Sequence, residues 1–502
     1  MDEPSVIIIG AGIAGLSAGI YAQRNGYRSR IVEHHAQPGG VAAAWDRGAY
    51  VIDGGIHFSM AHEPGSAIYR LYEQLGIVPA NRFTPIRNYG RFVDEASGWR
   101  VDITTDLDRL AADLTALSPS DGWLADKLVR AARDLRGTGL LETGMGKPPE
   151  LMGPLDTLRE LWSARGMWRY MSGRFGGTVA EYAREARDPR IRAVLENLFL
   201  PCVPVWFVAL LLALVADDQL AFIDGGCRDF VRAMEDRYVS LGGAVTCDAT
   251  VTEILVEEDR AVGVLLADGT VARAGAVISA ADGRSTIYQL LGGRYVDAAI
   301  RKRYEAWPVF EPMVMASYGV ARTFPDDPAF VTIALQEPLS VVDRPVRTLF
   351  VRIGNYTDRF APRGRTVVQA EFESAWEPWH ALYDGDRLAY VAAKDRLATD
   401  VLTALDRHWP GVADVVEVVD VATPVTTWRY TRNHRGAWEG WLPTAETLRT
   451  RVRRTLPGLG RFYMAGQWVM PGGGVPPCLY SGRHAVELLC RDDGRPFAAA
   501  DG

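Results

Sequence analysis

The chain has 502 residues, 48% of them hydrophobic, enough for two or three packed units or one large interleaved fold. Its 55 Lys and Arg against 62 Asp and Glu leave a net charge of −7; no basic block stands out, which argues against nucleic acid as a partner. The five cysteines form no C-x-x-C pair, so no zinc or disulfide framework and no metal is expected, and a reducing cytoplasm suits them.

The first element reads Val6-Ile-Ile-Ile-Gly10-Ala-Gly12-Ile-Ala14-Gly15. A β-branched run that ends in G-x-G-x-x-G and passes at once into a helical pattern predicts the strand, turn and helix of a dinucleotide-binding unit. Gly10 allows the tight turn, Gly12 opens backbone N–H groups to a pyrophosphate, and Gly15 lets the helix pack close to the sheet. Ala14, Ala18 and Ala22 recur every four residues and give that helix a small-residue face. The next strand ends at Glu33, placed to bind a ribose 2′-hydroxyl and to repel a 2′-phosphate. The chain runs straight into its first strand, so no signal peptide is expected.

Pro38-Gly39-Gly40 follows; two glycines here can pass under a second phosphate, and an ordinary Pro-Gly turn fits the same residues. A strand then reaches Asp53, and Gly54 and Gly55 bring the backbone close to a partner, for which a flat cofactor ring is a candidate. His57 is an acid–base or hydrogen-bonding candidate beside such a ring; a satisfied structural histidine is the other reading. Residues 106–216 are mostly helical and read as an inserted cap. Within them Leu198–Ala216 carries no charge over nineteen residues. That length could span a bilayer, but Pro201, Pro204 and the lack of a basic flank favour a buried helix, with surface docking on a membrane left open.

Nucleotide-type architecture resumes at Phe222, where Gly225-Gly226 opens a helix. Strands follow around Val251, then a hairpin turning at Asp268-Gly269, then a buried strand ending in small residues at Ala280, which suits a ligand lying across the sheet. From Pro308 to Trp441 strands and aromatic residues dominate, and Arg429-Tyr430 sits in a polar cluster. Last come a short strand to Gly466-Gln467, the triple glycine Gly472-Gly473-Gly474, and a helix from about Pro476 whose N-terminus would face an anion.

Taken together, GAGIAGLSAGIYAQRNG with Glu33, PGGVAAAWDRGAYVIDGGIHF, FIDGGCRDF, TPVTTWRYT and GQWVMPGGGVPPCLYSGR resemble the flavoprotein family of phytoene desaturases, carotenoid cis-trans isomerases and retinol saturases. The resemblance implies an α/β fold: a Rossmann-type, glutathione-reductase-like FAD domain in three pieces (residues 1–85, 221–300 and 446–502). An α+β substrate domain with a helical cap (residues 86–220 and 301–445) is interleaved with it. It implies FAD held by Gly10, Gly12, Gly15 and Glu33 at the ADP half. Gly39 and Gly40 would lie along it, Val251 at the adenine, and Gly466, Gly473, Gly474 and Val475 under the ring. Val41 stands where desaturases usually have arginine, and Gln467 where many relatives have an acid. The expected activity is redox chemistry on carbon–carbon double bonds of a hydrophobic, conjugated substrate. Redox-neutral isomerisation or cyclisation, an amine-oxidase-like activity, and a non-catalytic flavin carrier are the alternatives. Leu198–Ala216, the strands after Pro308, and Arg429 with Tyr430 are expected to converge above the ring, with His57 as the nearest acid–base group.

Overall fold

In the computed structural model, which describes residues 5–138, 145–163, 165 and 169–500, the β-branched opening run forms the strand Ser5–Ile9. It is the middle of a five-stranded sheet ordered Ala244–Thr246, Arg28–Val32, Ser5–Ile9, Ala276–Ser279, Phe462–Met464. Every neighbouring pair is parallel, so both faces must be covered. Val6 and Ile8 face the helices Ile13–Arg24, Gly226–Ser240 and Val475–Asp492, while Ile7 and Ile9 face the antiparallel meander that contains Ile254 and Val264. The strands come from three separated stretches of sequence.

The small residues of the first helix have a definite partner. Ala14, Ala18 and Ala22 are buried, and a methyl group on Gly482 of the last helix would come within 2.4 Å of Ala14 O. The two helices touch backbone to backbone, which fixes both of their N-termini on one side of the sheet.

A second sheet has seven strands, ordered Val416–Ala422, Met313–Val320, Thr366–Glu373, Pro345–Ile353, Phe330–Ser340, Asn88–Asp94, Arg100–Thr104. All its pairs are antiparallel except Phe330–Ser340 with Asn88–Asp94. The helices Leu107–Leu117, Gly122–Leu135 and Val205–Ala216 form a layer with its own apolar core. The uncharged stretch expected over Leu198–Ala216 is helical only from Val205, after Pro204, and lies buried in that layer. Among the described residues no helix is long and apolar enough to cross a membrane.

Between Pro308 and Trp441 the aromatic content signals burial, but it hides three helices: Trp376–Gly385, Arg387–His408 and Pro424–Thr431. The long one starts where Asp386 Oδ1 accepts the Ala389 N–H at 2.9 Å. It buries Tyr390, Ala393, Leu397, Val401 and Ala404, a spacing of three and four.

Candidate active site

A single continuous cavity of about 1660 Å³ runs from the carboxyl edge of the parallel sheet into the space beneath the seven-stranded sheet and the helical layer. Its nucleotide arm is built from backbone. Gly10 has φ +94°, open to glycine alone without strain. A methyl on Gly12 would meet only Gly39 O, at 3.9 Å. The Pro-Gly-Gly loop lies alongside, its Gly39 N–H donating to Ala11 O at 2.9 Å. No side chain caps the helix that follows Gly12, so its first N–H groups face the cavity without a protein acceptor. Glu33 is buried at the end of the second strand. Its Oε2 accepts the Ala11 N–H at 2.6 Å and its Oε1 the His35 N–H at 2.8 Å. Burial raises its pKa, and these backbone donors oppose that rise. Each oxygen keeps a further lone pair for a hydroxyl. Val41, Val251 and Ala280 complete this arm.

The other end of the arm is the turn Gly472–Gly474. Gly466, Gly473 and Gly474 all have positive φ, +97°, +58° and +88°, and Gly474 starts the helix Val475–Asp492, again without a side-chain cap. Pro476 and Pro477 occupy its first turn and remove donors that had no partner. Ser481 Oγ accepts the Gly466 N–H at 2.6 Å and anchors that turn to the helix.

Above the turn stands His57. Its ring stacks on Trp438 with centroids 5.3 Å apart and meets Phe350 edge-on at 5.8 Å. His57 Nε2 is 2.7 Å from Glu371 Oε2; a carboxylate only accepts, so Nε2 carries the hydrogen. Glu371 Oε1 accepts from Arg352 Nη1 at 3.1 Å, and Arg352 also donates to Asp53 O at 3.2 Å. Asp53 Oδ1 accepts the Cys227 N–H at 3.0 Å, at the start of the helix Gly226–Ser240. Burial works against ionising Glu371, but His57 and Arg352 outweigh it and hold the carboxyl below its usual range. For Asp53 burial wins, and its pKa is raised despite Arg352. Neighbouring strands pair Phe350 with Glu371 and Arg352 with Gln369. Side chains two apart share a face, so one polar row of the sheet backs the histidine.

The family model for flavin containing amine oxidoreductases matches residues 13–490. The chain belongs to that family. It is 24% identical to the prolycopene isomerase of Arabidopsis thaliana, over 97% of this chain and 83% of that one. It is 26% identical to the all-trans-zeta-carotene desaturase of Myxococcus xanthus, over 98% and 94%. Its fold is that of cyclohexylamine oxidase from Brevibacterium oxydans, with a TM-score of 0.62 at 16% identity, covering 98% of this chain and all of that one. The cofactor of this flavoprotein is FAD. The site fits it: two uncapped helix N-termini, three bare glycine turns and the buried acid Glu33, with lone pairs left for a hydroxyl, all border one channel. FAD, when bound, supplies an acceptor or donor of hydride there. The glycine turn Gly472–Gly474 and His57 on its fixed mount both border the cavity that would receive the ring.

Within this flavoprotein several expected residues sit elsewhere. Gly15 does not line the cavity; a methyl there would fall 1.9 Å from Gly10 O, so its place is in helix–strand contact. Gly54 also lies off the cavity, 2.6 Å from the Trp45 ring by the same measure, and Gly55 lines it while packing against Val41 O. Gly54 makes room for protein, while Gly55 packs against protein and borders the cavity as well. Arg429 and Tyr430 are not on the cavity wall. Tyr430 is 44% exposed and meets His35 edge-on at 4.8 Å, with the Arg429 guanidinium 5.6 Å from its own ring. Because residues 424–431 form a helix and not a strand, Trp428, Thr431 and Arg432 turn inward instead. Glu371, Arg352 and Glu439 went unnoticed in the sequence. The alternating polar residues of Thr366–Glu373 were the available signal for Glu371. The turn just before Trp441 offered none for Glu439.

Proposed function

We propose that this flavoprotein desaturates a long, hydrophobic, conjugated substrate: a hydride leaves to FAD and a proton to the protein. The reading is carried by the continuity of the FAD channel with an aromatic chamber lined by Phe58, Tyr89, Phe199, Phe207, Phe330 and Phe350. The cavity exceeds the range of about 300–1,000 Å³ usual for small-molecule sites, which leaves room for a large substrate beside the cofactor. The names of the relatives, a carotene desaturase and a prolycopene isomerase, support a polyene. The isomerase among them favours redox-neutral cis–trans isomerisation as a second reading. Holoprotein incubated anaerobically with a carotene in lipid vesicles distinguishes the two by chromatography and mass. Loss of two hydrogens supports desaturation, and a shifted isomer of unchanged mass supports the second reading. Oxidation of alkyl amines with neither change would overturn both.

The same reading places the protein in the cytoplasm, resting on a membrane; all five cysteines are free thiols, which suits a reducing compartment. Support for the membrane contact comes from the helix Pro154–Ser163 at the cavity mouth. Leu161 and Glu160 of this helix line the cavity, while Leu155 and Trp162 are 82% and 66% exposed beside the exposed Leu158. A surface helix of this kind can lie in a lipid interface. Leu158→Asp then weakens co-sedimentation with vesicles, and unchanged sedimentation would count against the contact.

A further inference from the structure

Glu439 stands on the cavity wall between two fixed neighbours. Trp438 before it is stacked on His57. Gly440 after it packs so tightly that a methyl there would come within 2.8 Å of Gln467 O. The carboxyl is thereby directed at the glycine turn that opens the last helix. A methyl on Gly473 would fall 2.7 Å from Glu439 Oε2, and the Gly474 N–H beside the carboxyl favours its charged form. Among the described residues, burial and that N–H are what act on its ionisation; burial wins and pushes the pKa up to about 8. Among the described residues no charged side chain acts on it. The titratable group it meets is the Cys478 thiol, itself pushed up to about 12 by burial and by this carboxyl. Among the described residues this acid has no cationic partner, unlike Glu371 with its Arg352 and His57.

We propose that Glu439 is the proton acceptor of the reaction cavity, taking the proton from the substrate carbon adjacent to the one that yields hydride. The proposal rests on the desaturase reading. FAD, when bound, would be the two-electron oxidant that takes one hydrogen together with its electron pair. The neighbouring C–H bond breaks and its proton passes to the Glu439 carboxylate, while its two electrons become the new π bond. Glu439 ends neutral and returns its proton to water before the next turnover. A base poised near the working pH is what such a transfer needs.

Infrared difference spectra of the holoprotein between pH 6 and 10 test this without turnover. The expected result is loss of one protonated-carboxyl carbonyl band with a midpoint near pH 8, absent in Glu439→Gln. Glu439→Gln should retain FAD, since the amide keeps the shape of the carboxyl, yet lose at least about a hundredfold in desaturation rate. The rise of about tenfold in the wild-type rate from pH 7 to 9 should vanish with it. A band that persists in Glu439→Gln, or a variant that keeps both rate and pH rise, overturns the proposal. If Glu439→Gln does not fold, the wild-type midpoint decides: a value in the ordinary carboxylate range overturns it. Failure of the wild type to desaturate any polyene would instead strike the desaturase reading, leaving the infrared titration to be judged separately.

Discussion

His57 Nε2 lies 2.7 Å from Glu371 Oε2, and Glu371 is 1% exposed. The histidine therefore cannot turn without uncovering a buried charge. Arg352, also buried, holds the other oxygen of Glu371 and the backbone of Asp53, so the mount of the ring reaches from one sheet to the other.

Glu371→Gln puts an amide NH₂ opposite either the Arg352 guanidinium or the His57 Nε2–H, donor against donor. Leaving one member of a buried charge network unpaired costs about 3–5 kcal/mol. Thermal unfolding of the holoprotein should show a clearly lower melting temperature. A melting temperature equal to the wild type would mean that Arg352 and His57 find other partners.

Glu33→Ala removes a carboxylate that holds two backbone N–H groups and borders the cavity. Charge-assisted hydrogen bonds are worth about 1.5–3 kcal/mol each, so FAD affinity should fall at least about tenfold. Fluorescence titration of the apoprotein with FAD measures it directly. Retention of the yellow colour through extended dialysis would assign Glu33 to the loop alone.

Gly482→Ala touches no cavity wall, yet its methyl would lie 2.4 Å from Ala14 O. The two helices whose uncapped N-termini border the cavity must then move apart, at about 1–3 kcal/mol of overpacking. We expect lower FAD occupancy together with lower stability. Loss of stability with full occupancy would show that the helix ends move as one.

Glu439 predicts a pH dependence of stability with a definite sign. Its pKa is raised from 4.5 to about 8 in the folded chain, so between those values the folded protein binds one proton more than the unfolded chain. Its contribution is fully present below the unfolded value and is lost as pH rises, by up to about 1.4 kcal/mol per pH unit, levelling off above about 8. Melting curves of wild type and Glu439→Gln across pH 5–9 should therefore converge at the acid end and favour the variant at the alkaline end. A constant difference would place the titration elsewhere.

The local glycine chemistry was legible because it is written in consecutive residues. Strand, Gly10-x-Gly12-x-x-Gly15 and helix define a turn whose backbone geometry depends on those residues, and Gly472–Gly474 before Pro476 does the same for the last helix. Gly15 packs helix against strand, as its place in the motif implies. Gly54 shows the limit of that reading: a glycine marks a close approach, but the sequence does not say whether protein or cofactor approaches, and here it is the Trp45 ring.

What only the tertiary structure decided is which polar residues are buried together. Gln369, Glu371 and Glu373 alternate with Val368, Ala370 and Phe372, the pattern of a strand with one face in water. That face instead lies against Asp53 and His57, more than three hundred residues away in the chain, where Arg352 from the next strand neutralises it. Arg429 and Tyr430 went the other way. Their polarity suggested a site, and one helical turn carried them to the outer surface. Sequence determined the glycine turns and the uncapped helix ends because backbone geometry over successive residues is local. The buried His57–Glu371–Arg352 network was decided by long-range packing, because a buried charge is tolerated only where a partner from a distant strand arrives to meet it.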